Sequence, residues 1–304
     1  MLRINKLLVL LLLTFLTTFT VIACNGSQSG NEGAVRVGSK DFTEQYILGE
    51  MYALMLENQG LLVERKLNLG GTPVAQAGLL KGEIDLYPEY TGTGLLTVLK
   101  LPSSSNQEKV YKTVAKEYGE KFNLEWLEPS PMNNTQALVM TTEAAKQQEI
   151  QTISDLVNQA SEITMIGPPE FQARADGLPG LKKVYADFSL KEYKAVDAGL
   201  RYQGLINGDA DVAVGFSTDG EIKAFNLLIL KDDKNLFPPY QVAPVVRQEV
   251  LENKPGIRTA LNSLSPKLTN EIMQTLNNEV TGKKREPAEV AKEFIQQQGL
   301  LKDS

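Results

Sequence analysis

Tyr87, Tyr90 and Phe216 are the side chains whose type and spacing speak most directly of chemistry, and that chemistry is recognition of an apolar or cationic small molecule. The run Leu79-Leu80-Lys81-Gly82-Glu83-Ile84-Asp85-Leu86-Tyr87-Pro88-Glu89-Tyr90 has a similar second copy, Leu205-Ile206-Asn207-Gly208-Asp209-Ala210-Asp211-Val212-Ala213-Val214-Gly215-Phe216. Each copy reads as a helix end, a glycine stop, an acidic turn, a short strand and an aromatic. Tyr90 lies eight residues after Gly82, and Phe216 eight after Gly208. Two similar α/β halves would each present an aromatic at a strand end. Facing rings of that kind make a cleft for an apolar or cationic small molecule. Glu83, Asp85 and Glu89 could instead be paired carboxylates for acid–base work, although a turn and a strand suit capping or solvated roles better. The chain has no histidine and one cysteine, Cys24. Histidine-dependent triads and zinc sites are thereby excluded, and catalysis by carboxylate, Lys or Tyr stays open.

The elements that position these rings alternate between strand and helix, which predicts an α/β protein. Val35-Arg36-Val37 reads as a strand leading into Gly38-Ser39-Lys40. Asp41 with Glu44 resembles a capping box for a helix whose Ile47, Leu48, Met51, Leu54 and Met55 share one face. A strand is expected over 61–69 and a helix over 73–80 with proline in its first turn. Further helices are expected over 106–122, 153–160, 197–207, 266–278 and 287–298. Further strands are expected over 137–140, 163–166, 210–214, 227–230 and 241–246. The helices after Tyr240 have no counterpart in the repeat, which fits a chain that returns to the first half after visiting the second. Trp126, Tyr185 and Tyr193 read as packing residues, and Tyr87 fits either the site or the core beneath it.

The N-terminus reads as a targeting segment. Arg3 and Lys6 precede an uncharged run, Leu7 to Ile22, which is shorter than the roughly 20 residues of a spanning helix. Val21-Ile22-Ala23-Cys24 resembles a lipobox, so residues 1–23 are expected to be a signal peptide and Cys24 a lipidation site. Residues 24–34 suit a flexible tether. A chain held by more than one acyl group stays at the membrane, so an extracytoplasmic, lipid-anchored protein is expected. About 280 mature residues suit two domains. Without Arg3 and Lys6, 29 basic residues face 37 acidic ones, which argues against nucleic acid as a partner.

Four motifs stand in the order of one family: Gly38-Ser39-Lys40-Asp41-Phe42-Thr43-Glu44-Gln45, Tyr87-Pro88-Glu89-Tyr90-Thr91-Gly92-Thr93-Gly94, Asp176-Gly177-Leu178-Pro179-Gly180-Leu181 and Phe237-Pro238-Pro239-Tyr240. From about Val35 to the C-terminus the chain resembles the substrate-binding proteins of ABC importers for glycine betaine, carnitine and choline. The resemblance implies a type II periplasmic-binding fold, with two α/β lobes that close on a ligand cleft about a hinge. Lobe 1 would hold 35–135 and 237–304, and lobe 2 would hold 136–236. The partners implied are a small quaternary-ammonium ligand, an ABC permease and, through it, a separate ATPase; neither cofactor nor metal is called for.

Carried over by motif, the ligand-binding residues are Lys40, Tyr90, Thr93, Asn134, Gln136, Arg174, Tyr202 and Phe216. An aromatic cage would take the ammonium, and Lys40, Thr93 and Arg174 a carboxylate. Bland readings exist for two of these: Lys40 as a loop lysine, and Arg174 as a surface partner of Glu170 or Asp176. Gln136 stands where the family often has tyrosine, and Phe216 where tyrosine is common. A thinner cage with an amide in it suggests either weaker binding of choline and glycine betaine or a larger polar betaine, such as an ergothioneine-like or proline-betaine-like molecule. The alternative class is an extracytoplasmic enzyme on the same two-lobe fold, using a carboxylate base.

Overall fold

The acidic residue of each repeated turn closes a parallel strand pair, and a five-stranded sheet is built around each closure. The structure, a computed structural model, describes residues 33–301 apart from 174–175 and 197–198. Cys24, the expected signal segment, Arg174 and Asp197 lie outside the described residues.

Lobe 1 begins with β1 (Val35–Gly38), α1 (Thr43–Glu57), β2 (Val63–Lys66), α2 (Thr72–Lys81) and β3 (Leu86–Tyr90). A helical turn, Thr91–Thr93, runs into a wider one, Gly94–Val98, before α3 (Gln107–Phe122) and β4 (Leu124–Trp126). Lobe 2 follows with β5 (Gln136–Thr141), α4 (Thr142–Gln147), α5 (Ile153–Asn158), β6 (Thr164–Gly167), α6 (Leu178–Tyr185) and β7 (Glu192–Ala195). It continues with α7 (Arg201–Ile206), β8 (Val212–Phe216), α8 (Gly220–Ala224) and β9 (Leu227–Ile229). The chain then returns to lobe 1 with β10 (Val242–Arg247), α9 (Gln248–Asn253), α10 (Gly256–Leu264), α11 (Asn270–Thr281) and α12 (Pro287–Gln297).

The strand orders are β2-β1-β3-β10-β4 and β7-β6-β8-β5-β9. In both, the first two pairings are parallel and the last two antiparallel. The repeat seen in the sequence is therefore a repeat of architecture, and its chemistry repeats as well. The Arg36 amide donates to Asp85 Oδ2 at 2.8 Å and the Asp85 amide donates back to the Arg36 carbonyl. In lobe 2 the Thr164 amide donates to Asp211 Oδ2 at 2.8 Å and the Asp211 amide returns to the Thr164 carbonyl. Gly82 and Gly208 make these turns possible, with φ of 71° and 78°, where a Cβ would be strained.

The first lobe's core packs α1 between the sheet and α10–α12, through Ile47, Leu48, Met51, Leu261, Met273 and Ile295. On the other face, Tyr87, Val110, Val114, Tyr118 and Trp126 pack α2 and α3 onto the same sheet. Trp126 is thus core, as its sequence context suggests. Asn106 caps α3 by accepting from the Lys109 amide at 2.8 Å.

Three expectations are corrected. Asp41 and Glu44 form no capping box: α1 starts at Thr43 with Phe42 at its N-cap and no side-chain cap, because Glu44 is drawn inward by buried donors. The helix expected over 197–207 is seen only as Arg201–Ile206. The helix expected over 266–278 is split, because Pro266 sits in a single turn and Thr269 caps a new helix by accepting from the Ile272 amide.

Two crossovers join the lobes, and they pair with each other. The Asn134 amide donates to the Tyr240 carbonyl at 3.1 Å, and the Tyr240 amide donates to Asn133 Oδ1 at 2.6 Å. Each lobe grips one crossover with the hydroxyl that follows its strand-end aromatic. Thr91 Oγ1 donates to the Pro239 carbonyl and accepts from the Gln241 amide, each at 3.1 Å. Ser217 Oγ donates to the Asn133 carbonyl and accepts from the Thr135 amide.

Candidate ligand-binding site

The C-terminal ends of β1 and β3 assemble a charged arm in lobe 1. Lys40, buried just after β1, places Nζ 2.6 Å from Glu89 Oε1 and 3.3 Å from Thr72 Oγ1. Glu89 is fully buried and also accepts from the Tyr87 hydroxyl at 2.9 Å and the Tyr90 amide at 2.7 Å. Tyr87 therefore lies beneath the site, its ring in the core and its hydroxyl in the network. The Lys40 loop is fixed by Gln45, whose Oε1 accepts from the Lys40 amide and whose Nε2 donates to the Pro88 carbonyl.

Lys40 Nζ stands 4.7 Å from the centroid of Tyr90 and 5.8 Å from that of Phe42. The two rings are 6.2 Å apart and nearly parallel, and Phe42 keeps 38% of its surface exposed. The Tyr90 hydroxyl donates to Glu44 Oε1 at 2.6 Å. Burial first, and the Glu44 carboxylate second, push that phenol well above its ordinary range, so it remains a neutral donor. Thr93 ends the helical turn after Tyr90 and is half-buried.

Lobe 2 supplies an acidic and aromatic arm. Gln136 opens β5 opposite Phe216, the last residue of β8. Gln136 Nε2 donates to Asp176 Oδ2 at 2.8 Å, and the Tyr240 hydroxyl stands 3.5 Å from the same oxygen. Tyr240 links the arms: its ring lies so close to Gly92 that a Cβ there would sit 2.7 Å from it. Phe216 is 44% exposed. Behind it, Asp219 Oδ2 accepts from the Phe216 amide, Arg201 Nη2 and the Tyr202 hydroxyl at 2.8, 2.6 and 2.7 Å. Tyr202 is buried, with its hydroxyl against Gly215 and Arg201 4.9 Å from its ring.

Among the residues singled out by motif, Lys40 and Tyr90 meet in lobe 1, Thr93 ends the helical turn that follows Tyr90, and Gln136 and Phe216 pair across β5 and β8 in lobe 2. Asn134 sits in the first crossover and turns its Nδ2 to Glu44 at 2.8 Å. Tyr202 stands one layer back, behind β8. The cation each motif tyrosine faces is the protein's own, Lys40 for Tyr90 and Arg201 for Tyr202. The exposed ring faces belong to Phe42 and Phe216. Sequence reasoning missed Phe42, Tyr240 and Asp176 as site residues, although all three lie inside the quoted motifs. The motif-level signal marked the segments; side-chain direction at a loop position is what it lacked. Of the carboxylates considered for acid–base work, Asp85 pairs with Arg36 at 2.6 Å and Glu89 with Lys40, while Glu83 lies exposed, 4.0 Å from Lys81.

Residues 33–297 match the family model described as the substrate-binding domain of ABC-type glycine betaine transport systems. The chain is 34% identical to the carnitine transport binding protein OpuCC of Listeria monocytogenes over 289 residues, covering 94% of each. It is 36% identical over 265 residues to the ergothioneine transport permease/ergothioneine binding protein EgtU of Helicobacter pylori (strain G27), covering 87% of this chain and 47% of that protein. The chain thus spans about half the length of that second relative. A crystal structure of a glycine betaine/carnitine/choline ABC transporter protein superposes with a TM-score of 0.84 at 31% identity, covering 88% of this chain and 100% of the other. The two-lobe architecture is that of the type II periplasmic-binding proteins.

Proposed function

Since the chain belongs to the family of substrate-binding domains of ABC-type glycine betaine transport systems, we propose that it is a non-catalytic receptor that delivers a quaternary-ammonium solute carrying a carboxylate to its permease. The observation that carries this reading is the polarity of the two arms. Lobe 1 has the Lys40 ammonium beside an exposed ring, and lobe 2 has the Asp176 carboxylate on Gln136, whose partner across the strand ladder is the exposed Phe216. An ammonium has three donors, and Glu89 and Thr72 take two of those on Lys40. The third, with Thr93, suits the ligand carboxylate. A trimethylammonium has no N–H to donate, so ring faces and a nearby anion select it. Phe216, Tyr240 and Asp176 are the groups assigned to it, which places the cation toward lobe 2 and leaves Tyr90 and Tyr202 as supports.

A larger betaine is the second reading, and the Gln136–Asp176 pair favours it. Where a third cage ring would stand, an amide and a carboxylate can pair with N–H groups on a ring-bearing ligand. A relative named for ergothioneine binding fits the same chemistry. We assign the lobe boundaries to 135/136 and 236/237, and the anchor to a lipid on Cys24 of an extracytoplasmic protein. Calorimetric titration with glycine betaine, choline, carnitine, proline betaine and ergothioneine tests the reading. Carboxylate-bearing members should bind more tightly than choline. Absence of binding to the whole panel, or turnover of any member, would overturn it.

A further inference from the structure

Among the described residues Glu44 has no charge-bearing partner, yet three side chains from distant segments donate to it. It is 3% exposed. Its Oε1 accepts from the Tyr90 hydroxyl at 2.6 Å and from Asn134 Nδ2 at 2.8 Å. Its Oε2 accepts from Asn277 Nδ2 at 3.1 Å, and that amide also donates to the Thr218 carbonyl at 2.8 Å. Three parts of the chain thus meet on one group, β3 of lobe 1, the first crossover and α11, and Asn277 of α11 ties it in turn to the segment that follows β8 in lobe 2. One oxygen is shared between the ring that backs Lys40 and the crossover that must bend when the lobes move.

We propose that Glu44 is a positioning residue that couples the orientation of Tyr90 to the hinge, so that a ligand seated on lobe 1 is felt at the crossover. The inference rests on the receptor reading for its ligand arm only. Any rotation about the crossovers moves Asn134, and moves Thr218 together with the Asn277 amide that it holds, relative to α1. A carboxylate held by both amides must then shift its bond to Tyr90. The Oδ1 atoms of Asn134 and Asn277 are buried without a hydrogen-bond partner. Either amide can therefore turn over and accept instead of donate, which lets Glu44→Gln fold with the cluster filled but its donor order changed.

The test uses Glu44→Gln, Tyr90→Phe and the double variant, read in two ways. The first is hydrogen exchange of the crossover amides in the ligand-free protein. Both single variants should speed exchange at 133–135 about 10-fold, as expected for losing one bond to a charged group. The double variant should be no faster than the faster single. The second is titration with glycine betaine, with a similar, non-multiplying loss of affinity. If Tyr90→Phe leaves the crossover amides untouched, or if the two effects multiply, the coupling is refuted. If Glu44→Gln speeds exchange throughout α1 as well, its role is structural and the proposal falls. If the exchange pattern holds while the wild-type protein ignores glycine betaine and the rest of the panel, the receptor reading fails and the coupling stands.

Discussion

Replacing Glu89 by Gln removes one charge and almost nothing else. Glu89 receives the Lys40 ammonium and the Tyr90 amide on Oε1, and the Tyr87 hydroxyl on its other oxygen. A Gln can keep its carbonyl oxygen toward Lys40 and Tyr90. Its amide nitrogen can then donate to the Tyr87 hydroxyl, which itself donates to Gln76 Oε1 at 3.1 Å. What disappears is the counter-charge of a lysine whose side chain is 5% exposed. Breaking a buried pair from one side leaves an uncompensated charge, at a cost of about 3–5 kcal/mol. The retained hydrogen bonds put the expectation near the lower end, about 3 kcal/mol, read as a lower urea midpoint with unchanged slope. The loss should change little between low and high salt, because solvent ions do not reach the pair. Glu108→Gln is the control: its partner Lys112 and Glu108 itself are 71% and 74% exposed, and that change should leave the urea midpoint almost where it was. A loss below about 1 kcal/mol for Glu89→Gln, or one that fades with salt as a surface pair would, refutes the buried-pair argument. In the same variant, glycine betaine should gain affinity relative to choline, since a negative charge beside the carboxylate end is gone.

Phe216→Ala should weaken glycine betaine binding by about 1–2 kcal/mol through loss of an exposed ring face, and unchanged affinity in titration would place the cation elsewhere. Gln136→Tyr should strengthen choline by about 0.5–1.5 kcal/mol; if a polar betaine is the natural ligand, that ligand should weaken by about 1–3 kcal/mol as Asp176 loses its amide partner. Burial raises the Glu44 carboxyl above its ordinary value of 4.5 in the folded chain, so the folded state holds this proton to higher pH. Its contribution is complete below pH 4.5 and is lost as pH rises through the folded value. The unfolding free energy of the wild type minus that of Glu44→Gln should therefore fall with rising pH above 4.5 and then level off; a difference that rises over this window would mean the hydrogen bonds to Glu44 outweigh burial. Cys24→Ala should abolish partitioning of the protein into a detergent phase as a cleaved, acylated form, and persistence of that form would refute the anchor.

Much of the frame was legible because it rests on local rules. Gly82 and Gly208 mark left-handed turns, Asp85 and Asp211 follow at a fixed offset, and both strands run from there to their aromatics. The return of the chain to lobe 1 was readable from helices that the repeat does not account for. What escaped is non-local. Glu44 three residues after Asp41 has the spacing of a cap, and only Tyr90, Asn134 and Asn277, from distant segments, pull it inward. Arg201 and Lys40 occupy the faces of Tyr202 and Tyr90, a fact no spacing encodes. Phe42 looks in sequence like any core aromatic, yet its ring stays partly exposed beside Tyr90.

The position of β10 sets an order on how the molecule can be made. It inserts between β3 and β4, pairing Val242 with Tyr90, 152 residues away in sequence, and Val245 with Trp126, 119 residues away. Lobe 2, by contrast, is continuous from Gln136 to Ile229 and can complete its sheet from its own segment. During synthesis β3 must wait with an open edge until the last fifth of the chain has emerged, and contacts of such separation form slowly. Nascent lobe 1 is therefore the stretch exposed to misassembly, through β3, the strand that bears Tyr87 and Tyr90. A chain stopped before Val242 should contain a folded second lobe and an aggregation-prone first one.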